Sequence, residues 1–297
     1  RLLMDIRFGD RNISFPGSDM GEMHDCNQWF SDMATLYKQI ASDGYLFIRG
    51  LIDRTTVLQA RETVLEYMAK KEALVPHTPS LEGVMAQGGK SVPMNDIAHN
   101  PNVLAVVEGK ELYDFFKRFF GEPTLTFSKK WLRAVGNQKF TGAHMDFVYM
   151  GRGSVNLHTV WIPFGDIPAE QGTLAICPNS NHLESFARIR QTYGRMDVDR
   201  DLVEGWFSRE PMEIVEKFGS QWLTANFSAG DVVIFGMNTM HASTTNLTNR
   251  FRISCDVRFQ PASDPVDERW SKLGKGHTAK KWQIKVMSEA RHEWNVE

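Results

Sequence analysis

The sequence has few of the features that mark secreted, membrane-spanning or nucleic-acid-binding proteins. Its 297 residues include three cysteines, Cys26, Cys177 and Cys255, and no CxxC pair. Disulfide frameworks use clustered, even numbers of cysteines, so these three predict reduced thiols in a cytoplasmic protein. The net charge is −2, which provides no basic field for nucleic acid or an anionic membrane. No apolar run approaches the roughly 20 residues of a membrane span. We therefore expect a soluble globular protein that binds neither nucleic acid nor a membrane.

The chain changes character near residue 123, which divides one predicted domain into parts. Residues 1–122 are mostly helical in pattern, because apolar residues recur there at three- and four-residue spacing. The helical segments are 29–40, 57–68 after a predicted N-cap at Asp53, and 102–120, with a short strand at 45–48. Residues 263–297 are expected to form a helix-containing extension. The sequence begins at Arg1, which leaves open a targeting segment upstream. It gives no indication of oligomeric state.

After Pro123 the segments are short and β-like, and Gly, Asn and Pro separate them, as is typical of a sandwich or barrel. The predicted strands are 125–135, 144–150, 155–163, 173–177, 232–235 and 251–259. A long interruption at about 182–228 splits them and contains predicted helices at 183–192 and 212–218. Long insertions in compact domains tend to be functional, so this one predicts a lid over the site.

The most informative residues are His144 and Asp146, in the segment GAHMDF, together with His241 far downstream. Two imidazoles and one carboxylate form the facial triad that holds ferrous iron and leaves positions open for substrates and oxygen. Residues i and i+2 of a strand point to the same face, so His144 and Asp146 can bind one ion together. Arg252 follows on the next strand, and its guanidinium suits a carboxylate because it can bond both oxygens.

Three blocks of sequence, in this order, resemble the phytanoyl-CoA dioxygenase family of iron- and 2-oxoglutarate-dependent oxygenases. The first is TGAHMD at 141–146, and the second is VWIPFGD at 160–166 with QGTL at 171–174 and PNSNH at 178–182. The third is GDVVIF at 230–235, followed by HAS at 241–243 and RIS at 252–254. The second block departs from the family at residues 179–181, where Gly-Ser-His is usual, and at Gln171, where Asn is usual. Both departures lie on predicted turns, so they affect loop shape more than iron binding.

The resemblance, which covers most of the chain, implies a mainly β fold with flanking helices. Its core would be a double-stranded β-helix, a cupin-like jelly roll, over about residues 123–262. By the same matching, the triad would bind Fe(II), and Arg252 would bind the distal carboxylate of 2-oxoglutarate. Ser243 would donate to that carboxylate, and Trp161 would wall the co-substrate pocket. The implied reaction consumes O2 and 2-oxoglutarate, releases succinate and CO2, and hydroxylates or otherwise oxidises a small molecule.

Two other interpretations stay open from the residues alone. The same three ligands can hold zinc in a cupin-type hydrolase, although such chemistry has no need of Arg252. A regulatory protein can also retain the fold without activity.

Further residues are candidates for the site. His158 lies on the strand that leads to Trp161, and Phe147 and Tyr149 follow the metal-binding motif. Four arginines in the insertion are candidates for an anionic substrate, although such a run is usually a solvated helix face; they are Arg188, Arg190, Arg195 and Arg200.

Overall fold

The computed structural model describes residues 2–88 and 91–297, and these residues form twelve strands and nine α-helices. In chain order the strands are β1 (Met4–Phe8), β2 (Arg11–Phe15), β3 (Gly21–Glu22), β4 (Tyr45–Ile48), β5 (Thr124–Thr126), β6 (Trp131–Val135), β7 (His158–Pro163), β8 (Leu174–Ile176), β9 (Leu223–Thr224), β10 (Val232–Gly236), β11 (His241–Ser243) and β12 (Arg252–Pro261). The helices are α1 (Met33–Asp43), α2 (Arg54–Lys70), α3 (Pro101–Val107), α4 (Lys110–Phe120), α5 (Phe147–Met150), α6 (Ala187–Gln191), α7 (Val198–Asp201), α8 (Pro211–Phe218) and α9 (Met287–Trp294).

Two sheets that face each other form the centre of the fold. The larger has the antiparallel order β4-β10-β7-β12-β5, with β6 also paired to β12. The smaller has the order β11-β8-β9-β3. Side chains from both sheets meet in a shared apolar layer that includes Trp161, Phe235 and Ile176. This is the predicted mainly β fold with a jelly-roll core and flanking helices.

Strand alternation separates the two faces of the larger sheet. In β10, Val233 and Phe235 face the apolar layer between the two sheets. The alternate residues, Val232 and Ile234, pack against the helices on the outer face of the sheet. This follows from the two-residue period of a strand. In β12 the apolar residues face the helices. The alternate positions of β12 therefore form a polar row that faces inward, made of Arg252, Ser254, Asp256, Arg258 and Gln260.

Helices cover the outer faces of both sheets. Helices α1 to α4 pack on the larger sheet. Helix α2 begins as predicted, because the Asp53 carboxylate accepts a hydrogen bond from the backbone N–H of Thr56. The smaller sheet is covered by the β1–β2 hairpin and by helices α6, α8 and α9, whose apolar residues share one cluster. Helix α9 lies in the predicted C-terminal extension.

Several predicted elements differ from the structure. The helix predicted over 102–120 is two helices, because the backbone leaves the helical region at Glu108 (φ −125°, ψ 25°) and is extended at Gly109 (φ −71°, ψ 164°). The strand predicted over 125–135 is divided into β5 and β6. Residues 4–22, for which no element was predicted within the mostly helical part, form β1 to β3. Strand β4 belongs to the larger sheet, so the jelly roll is not confined to 123–262. Residues 89 and 90, between the predicted helices at 57–68 and 102–120, lie outside the described residues.

The predicted lid at 182–228 is closely packed over most of its length. Strand β9 lies within it and pairs with β8, so the interruption ends near residue 222. Phe186, Tyr193 and Trp222 are fully buried. Only Trp206 and Arg209 of this segment line the central cavity. Because so many of its side chains belong to the core, the segment forms a wall of the fold. Its motion over the site stays a prediction.

Cys26, Cys177 and Cys255 are buried and form no disulfide. Burial raises the pKa of Cys26 to about 11 and the pKa values of Cys177 and Cys255 to about 12. In the part of the chain that the structure describes, no helix has the length and apolar character needed to cross a membrane.

Candidate metal centre

Backbone pairing brings two histidines side by side. His144 and His241 form an isolated antiparallel bridge. The N–H of His144 donates to the carbonyl of His241 at 2.9 Å, and the reverse bond is 3.0 Å. Directly opposed residues project their side chains from the same face of the ladder. The bridge therefore places the two imidazole rings next to each other, with centroids 4.1 Å apart.

The backbone also determines which imidazole nitrogen carries the proton. Nδ1 of His144 lies 2.9 Å from the carbonyl oxygen of Gly142, and Nδ1 of His241 lies 2.9 Å from that of Thr239. A carbonyl oxygen only accepts, so each Nδ1 donates and each Nε2 keeps a lone pair. Burial lowers the pKa of His144, which favours this neutral form.

Asp146 reaches the same point from the start of a helix. Its backbone is helical, with φ −65° and ψ −23°, and it precedes α5. The strand predicted over 144–150 is therefore wrong beyond the bridge at His144, because the backbone of Asp146 already accepts the hydrogen bonds that begin a helix. Asp146 Oδ1 nevertheless lies 3.4 Å from Nε2 of His144 and 3.2 Å from Nε2 of His241. The structure thus brings the three predicted ligands together.

The three converging atoms are all hydrogen-bond acceptors. They lie within 4.8 Å of one another, and Asp146 Oδ1 is buried without a hydrogen-bond partner. A buried acceptor that faces two lone pairs is unfavourable unless a cation lies between them. Two imidazole nitrogens and one carboxylate oxygen are the donor set of non-haem ferrous sites. The residues therefore fit iron.

The other carboxylate oxygen of Asp146 is held by two donors that the sequence analysis did not identify. Arg258 Nη2 donates to Oδ2 at 2.9 Å, and Thr159 Oγ1 donates at 2.5 Å. Arg258 Nε also donates to Thr159 Oγ1 at 3.1 Å. Burial opposes ionisation of Asp146, but Arg258 and the imidazoles outweigh it and hold the pKa well below its usual range. Side chains an even number of residues apart in a strand point to the same face. Arg258 stands at such a spacing from Arg252 in β12, and this is the sequence pattern that could have placed it on the inner face.

Arg252 is a buried cation with few partners. It is 2% exposed, and its Nη1 donates to the carbonyl of Gly172 at 2.7 Å. Its Nε is buried without a partner, and within the described part of the chain no carboxylate lies in ion-pair distance. Burial lowers its pKa to about 10. A buried guanidinium without a counterion is a suitable partner for an anionic ligand.

Ser243 and Trp161 line the same cavity as Arg252. Ser243 Oγ accepts from the backbone N–H of Thr141 at 2.7 Å, which leaves its hydroxyl proton free to donate. The Trp161 ring is buried, and its centroid lies 5.8 Å from Cζ of Arg252. Their roles toward 2-oxoglutarate stay predictions.

A cavity of about 470 Å³ joins the triad to Arg252 and to a more exposed mouth. Tyr149 lines it as predicted, with its ring 5.6 Å from that of His144. Phe147 does not line this cavity, and His158 packs against Phe119 instead. None of the four arginines proposed from the insertion lines it. Trp206, from the predicted lid, lies at the mouth of the cavity. The sequence analysis missed the other residues that form the mouth, which are Trp131, Arg133, Phe140, Arg209, Trp270 and His277.

Comparison with known proteins gives a consistent result. A family model described as phytanoyl-CoA dioxygenase (PhyH) matches residues 40–254. The 1-deoxypentalenic acid 11-beta-hydroxylase of Streptomyces exfoliatus is 26% identical over 262 residues, and that of Streptomyces arenae is 25% identical over 273. Each match covers 80% of this chain and 85% of the relative.

Two solved structures share the fold at low identity. The epimerase SnoN in complex with Fe3+, alpha ketoglutarate and nogalamycin RO is 17% identical with a TM-score of 0.53, over 84% of this chain and 94% of that one. EctD from S. alaskensis with 2-oxoglutarate and 5-hydroxyectoine is 13% identical with a TM-score of 0.57, over 96% and 95%.

Proposed function

Because the chain belongs to the phytanoyl-CoA dioxygenase family, we propose that His144, Asp146 and His241 are the ligands of its catalytic iron. The protein is an Fe(II)- and 2-oxoglutarate-dependent dioxygenase, an oxidoreductase that acts on a small-molecule substrate. The observation that carries the ligand assignment is the cluster of three acceptor atoms, of which Asp146 Oδ1 is buried without a donor. A cation at this point satisfies all three atoms at once.

We infer that Arg252 binds the distal carboxylate of 2-oxoglutarate. Its guanidinium is buried and its Nε has no protein partner, so a carboxylate would supply the missing charge and acceptor. Ser243 has a hydroxyl proton free to donate to the same carboxylate, and Trp161 supplies an apolar wall beside Arg252. Iron bound by the triad supplies the activation of oxygen, coupled to conversion of 2-oxoglutarate into succinate and CO2.

The protein's own contribution is to orient the ligands and to keep coordination positions open. Arg258 and Thr159 hold Oδ2 of Asp146, so that one carboxylate oxygen faces the histidines. The carbonyls of Gly142 and Thr239 hold the imidazole rings through Nδ1. Such outer hydrogen bonds orient metal ligands and tune their basicity.

The two alternatives account for less of the site. A zinc-dependent hydrolase would leave Arg252 buried without a partner, since its chemistry requires no dicarboxylate. A regulatory protein that had lost activity would have no need to keep the three acceptors in place.

Both relatives at 25–26% identity are named as hydroxylases, and we infer that this reaction is also a hydroxylation. Neither nucleic acid nor a membrane is expected as a partner, since the net charge is −2. The buried free thiols favour a reducing, cytoplasmic compartment.

The ligand assignment is tested by anaerobic titration of metal-free protein with Fe(II). We expect single alanine variants of His144, Asp146 and His241 to bind iron weakly and to release no succinate from 2-oxoglutarate. His24→Ala, which removes an exposed histidine, serves as the control and should behave as the wild type. Undiminished iron binding in all three triad variants would refute the assignment. A screen of candidate substrates for stimulated succinate release then identifies the reaction.

A further inference from the structure

The charged groups at the mouth of the cavity differ in whether they already have partners. Arg133 Nε lies 3.3 Å from Oδ2 of Asp256. His277 Nδ1 lies 2.7 Å from Oδ2 of Asp199. Arg209 also lines the cavity, yet it forms no ion pair with any described residue. It is therefore the cation at the mouth that remains available to a ligand.

Arg209 is held near the metal ligands by the backbone. Ala143, the neighbour of His144, forms a bridge with Ser208, and the N–H of Ala143 donates to the carbonyl of Ser208 at 2.7 Å. Gly142 allows this close approach, because a Cβ there would lie 3.0 Å from the carbonyl oxygen of Ser208 and 3.6 Å from Cα of Arg209. The position of Arg209 relative to the triad is thus set by paired main chain.

Aromatic rings support the Arg209 guanidinium and continue around the mouth. Its Cζ lies 4.8 Å from the ring centroid of Phe140 and 5.8 Å from that of Trp206. Trp131 and Trp270 also line the cavity and pack edge to face against each other, with ring centroids 5.0 Å apart. Trp270 lies beyond residues 40–254, the part that the family model matches. This apolar wall is therefore supplied partly by a segment outside that match.

With iron and 2-oxoglutarate bound, the net charge of the cavity also favours an anionic ligand. Within it, Asp146 carries one negative charge, and Arg252 and Arg258 each carry one positive charge. Arg133 and Asp256 cancel each other. The charges of a ferrous ion and of the 2-oxoglutarate dianion cancel as well. The buried part of the cavity therefore keeps a net charge of one positive unit, and Arg209 adds another at the mouth. Charge complementarity of this kind selects an anionic partner.

We propose that the substrate carries a carboxylate on an apolar, ring-bearing body, and that Arg209 binds this carboxylate. The ring system packs against Trp131, Trp206 and Trp270. This inference rests on the proposed function, because the charge balance includes iron and 2-oxoglutarate. It assigns Arg209 a role in substrate choice, in addition to the role of Arg252 toward the co-substrate.

The test compares two probes of one shape, 2-naphthoate and the uncharged 2-naphthamide. Calorimetric titrations use anaerobic protein loaded with Fe(II) and 2-oxoglutarate, so that Arg252 is already occupied. We expect the wild type to bind naphthoate roughly tenfold more tightly than naphthamide, since a charge-assisted hydrogen bond contributes at least this much. Arg209→Gln should abolish that preference. Arg195→Gln removes the same charge from an exposed position of the same segment, away from the cavity, and should keep it.

The outcomes separate this inference from the proposed function. The visible absorption of the iron–2-oxoglutarate complex is recorded in each sample before titration. If the wild type lacks that absorption, the proposed function fails. If the absorption is present but naphthoate binds no better than naphthamide, or does not bind, the inference about Arg209 fails alone. A preference that survives in Arg209→Gln would also overturn it.

Discussion

At the scale of single residues, the two oxygens of the Asp146 carboxylate have different partners. Oδ1 faces the histidines, and Oδ2 is held by Arg258 and Thr159. Because Arg258 holds the carboxylate in place, its loss should loosen the ligand without removing it. We predict that Arg258→Gln lowers iron affinity by about 10–100-fold, the usual effect of losing such an outer partner.

Titration of metal-free protein with Fe(II) measures this effect, and Arg258→Lys should recover part of it. Arg133→Gln removes an arginine from the mouth of the same cavity and serves as the control, with unchanged iron affinity. Wild-type affinity in Arg258→Gln would show that Thr159 alone positions Asp146.

Arg252 should determine the affinity for 2-oxoglutarate. Removing one partner of a buried charge pair costs about 2–5 kcal/mol, so we predict that Arg252→Leu raises the KM for 2-oxoglutarate by at least about 30-fold. Iron binding should survive, because Arg252 does not contact the triad. Arg250→Leu is the matched control, since Arg250 is exposed and lies 3.8 Å from Glu82. Equal KM values for Arg252→Leu and the wild type would assign the co-substrate to another basic group.

At the scale of secondary structure elements, His158 joins strand β7 to helix α4. Its ring packs edge to face on Phe119, with centroids 5.1 Å apart. Burial lowers its pKa from 6.5 to about 4. The folded state therefore keeps a neutral imidazole between these values, while the unfolded state takes up a proton. Stability should fall as the pH drops below about 6.5 and should level off below about 4.

We predict that the free energy of unfolding falls between pH 7 and pH 5 by about 1–2 kcal/mol more in the wild type than in His158→Phe. Urea denaturation at both pH values measures it, and comparing each protein with itself removes any constant effect of the substitution. His24→Phe changes an exposed ring and should keep the wild-type pH dependence. Identical pH dependence in wild type and His158→Phe would contradict the prediction.

Local sequence pattern was sufficient to predict some secondary structure elements but not others. The Asp53 N-cap and strand β4 were predicted correctly, because capping and alternation act over a few residues. The segment after Asp146 was predicted as a strand, since its apolar residues suit either structure. The hairpin of β1 and β2 was missed, although Gly9-Asp10 between two alternating segments is a turn signal. Gly9 has a φ of +61° there.

At the scale of the whole molecule, a buried charge network joins the C-terminal extension to the wall formed by the predicted lid. Arg269, of the extension, lies 2.7 Å from Asp199, 3.1 Å from Asp197 and 2.7 Å from Asp267. Its side chain is 3% exposed. Breaking a buried network by removing one partner leaves uncompensated charge, so we predict that Arg269→Met lowers the free energy of unfolding by about 3–5 kcal/mol.

The matched control is Arg200→Met, whose side chain is 63% exposed and pairs with Asp201. Exposed pairs contribute at most about 1 kcal/mol, so its effect should be small. Urea denaturation of both variants measures the difference. Similar stabilities for the two variants would show that the extension is held mainly by apolar packing of α9.

The whole site was predicted only in part, for a physical reason. The triad and Arg252 were predicted as site residues because their residue types and spacing match a known family, and all four line the same cavity. Arg258, Arg209 and Trp270 come from separate parts of the chain, and only the packing of both sheets and the extension brings them to one cavity. No local sequence pattern indicates that these residues lie close together in the folded protein. Trp270 also lies where the family model does not extend.

The pairing of β4 with β10 has a consequence for how the protein is made. Apart from an isolated bridge between Phe47 and Asp25, β4 pairs in the described residues only with β10, which lies about 180 residues later in the chain. At ordinary rates of synthesis, roughly 5–20 residues per second, this partner leaves the ribosome about 10–40 seconds after β4. During that interval the apolar faces of α1 to α4 have no sheet to cover. A nascent chain of this kind is a natural client for chaperones, and its folding should be slow because the contacts are distant in sequence.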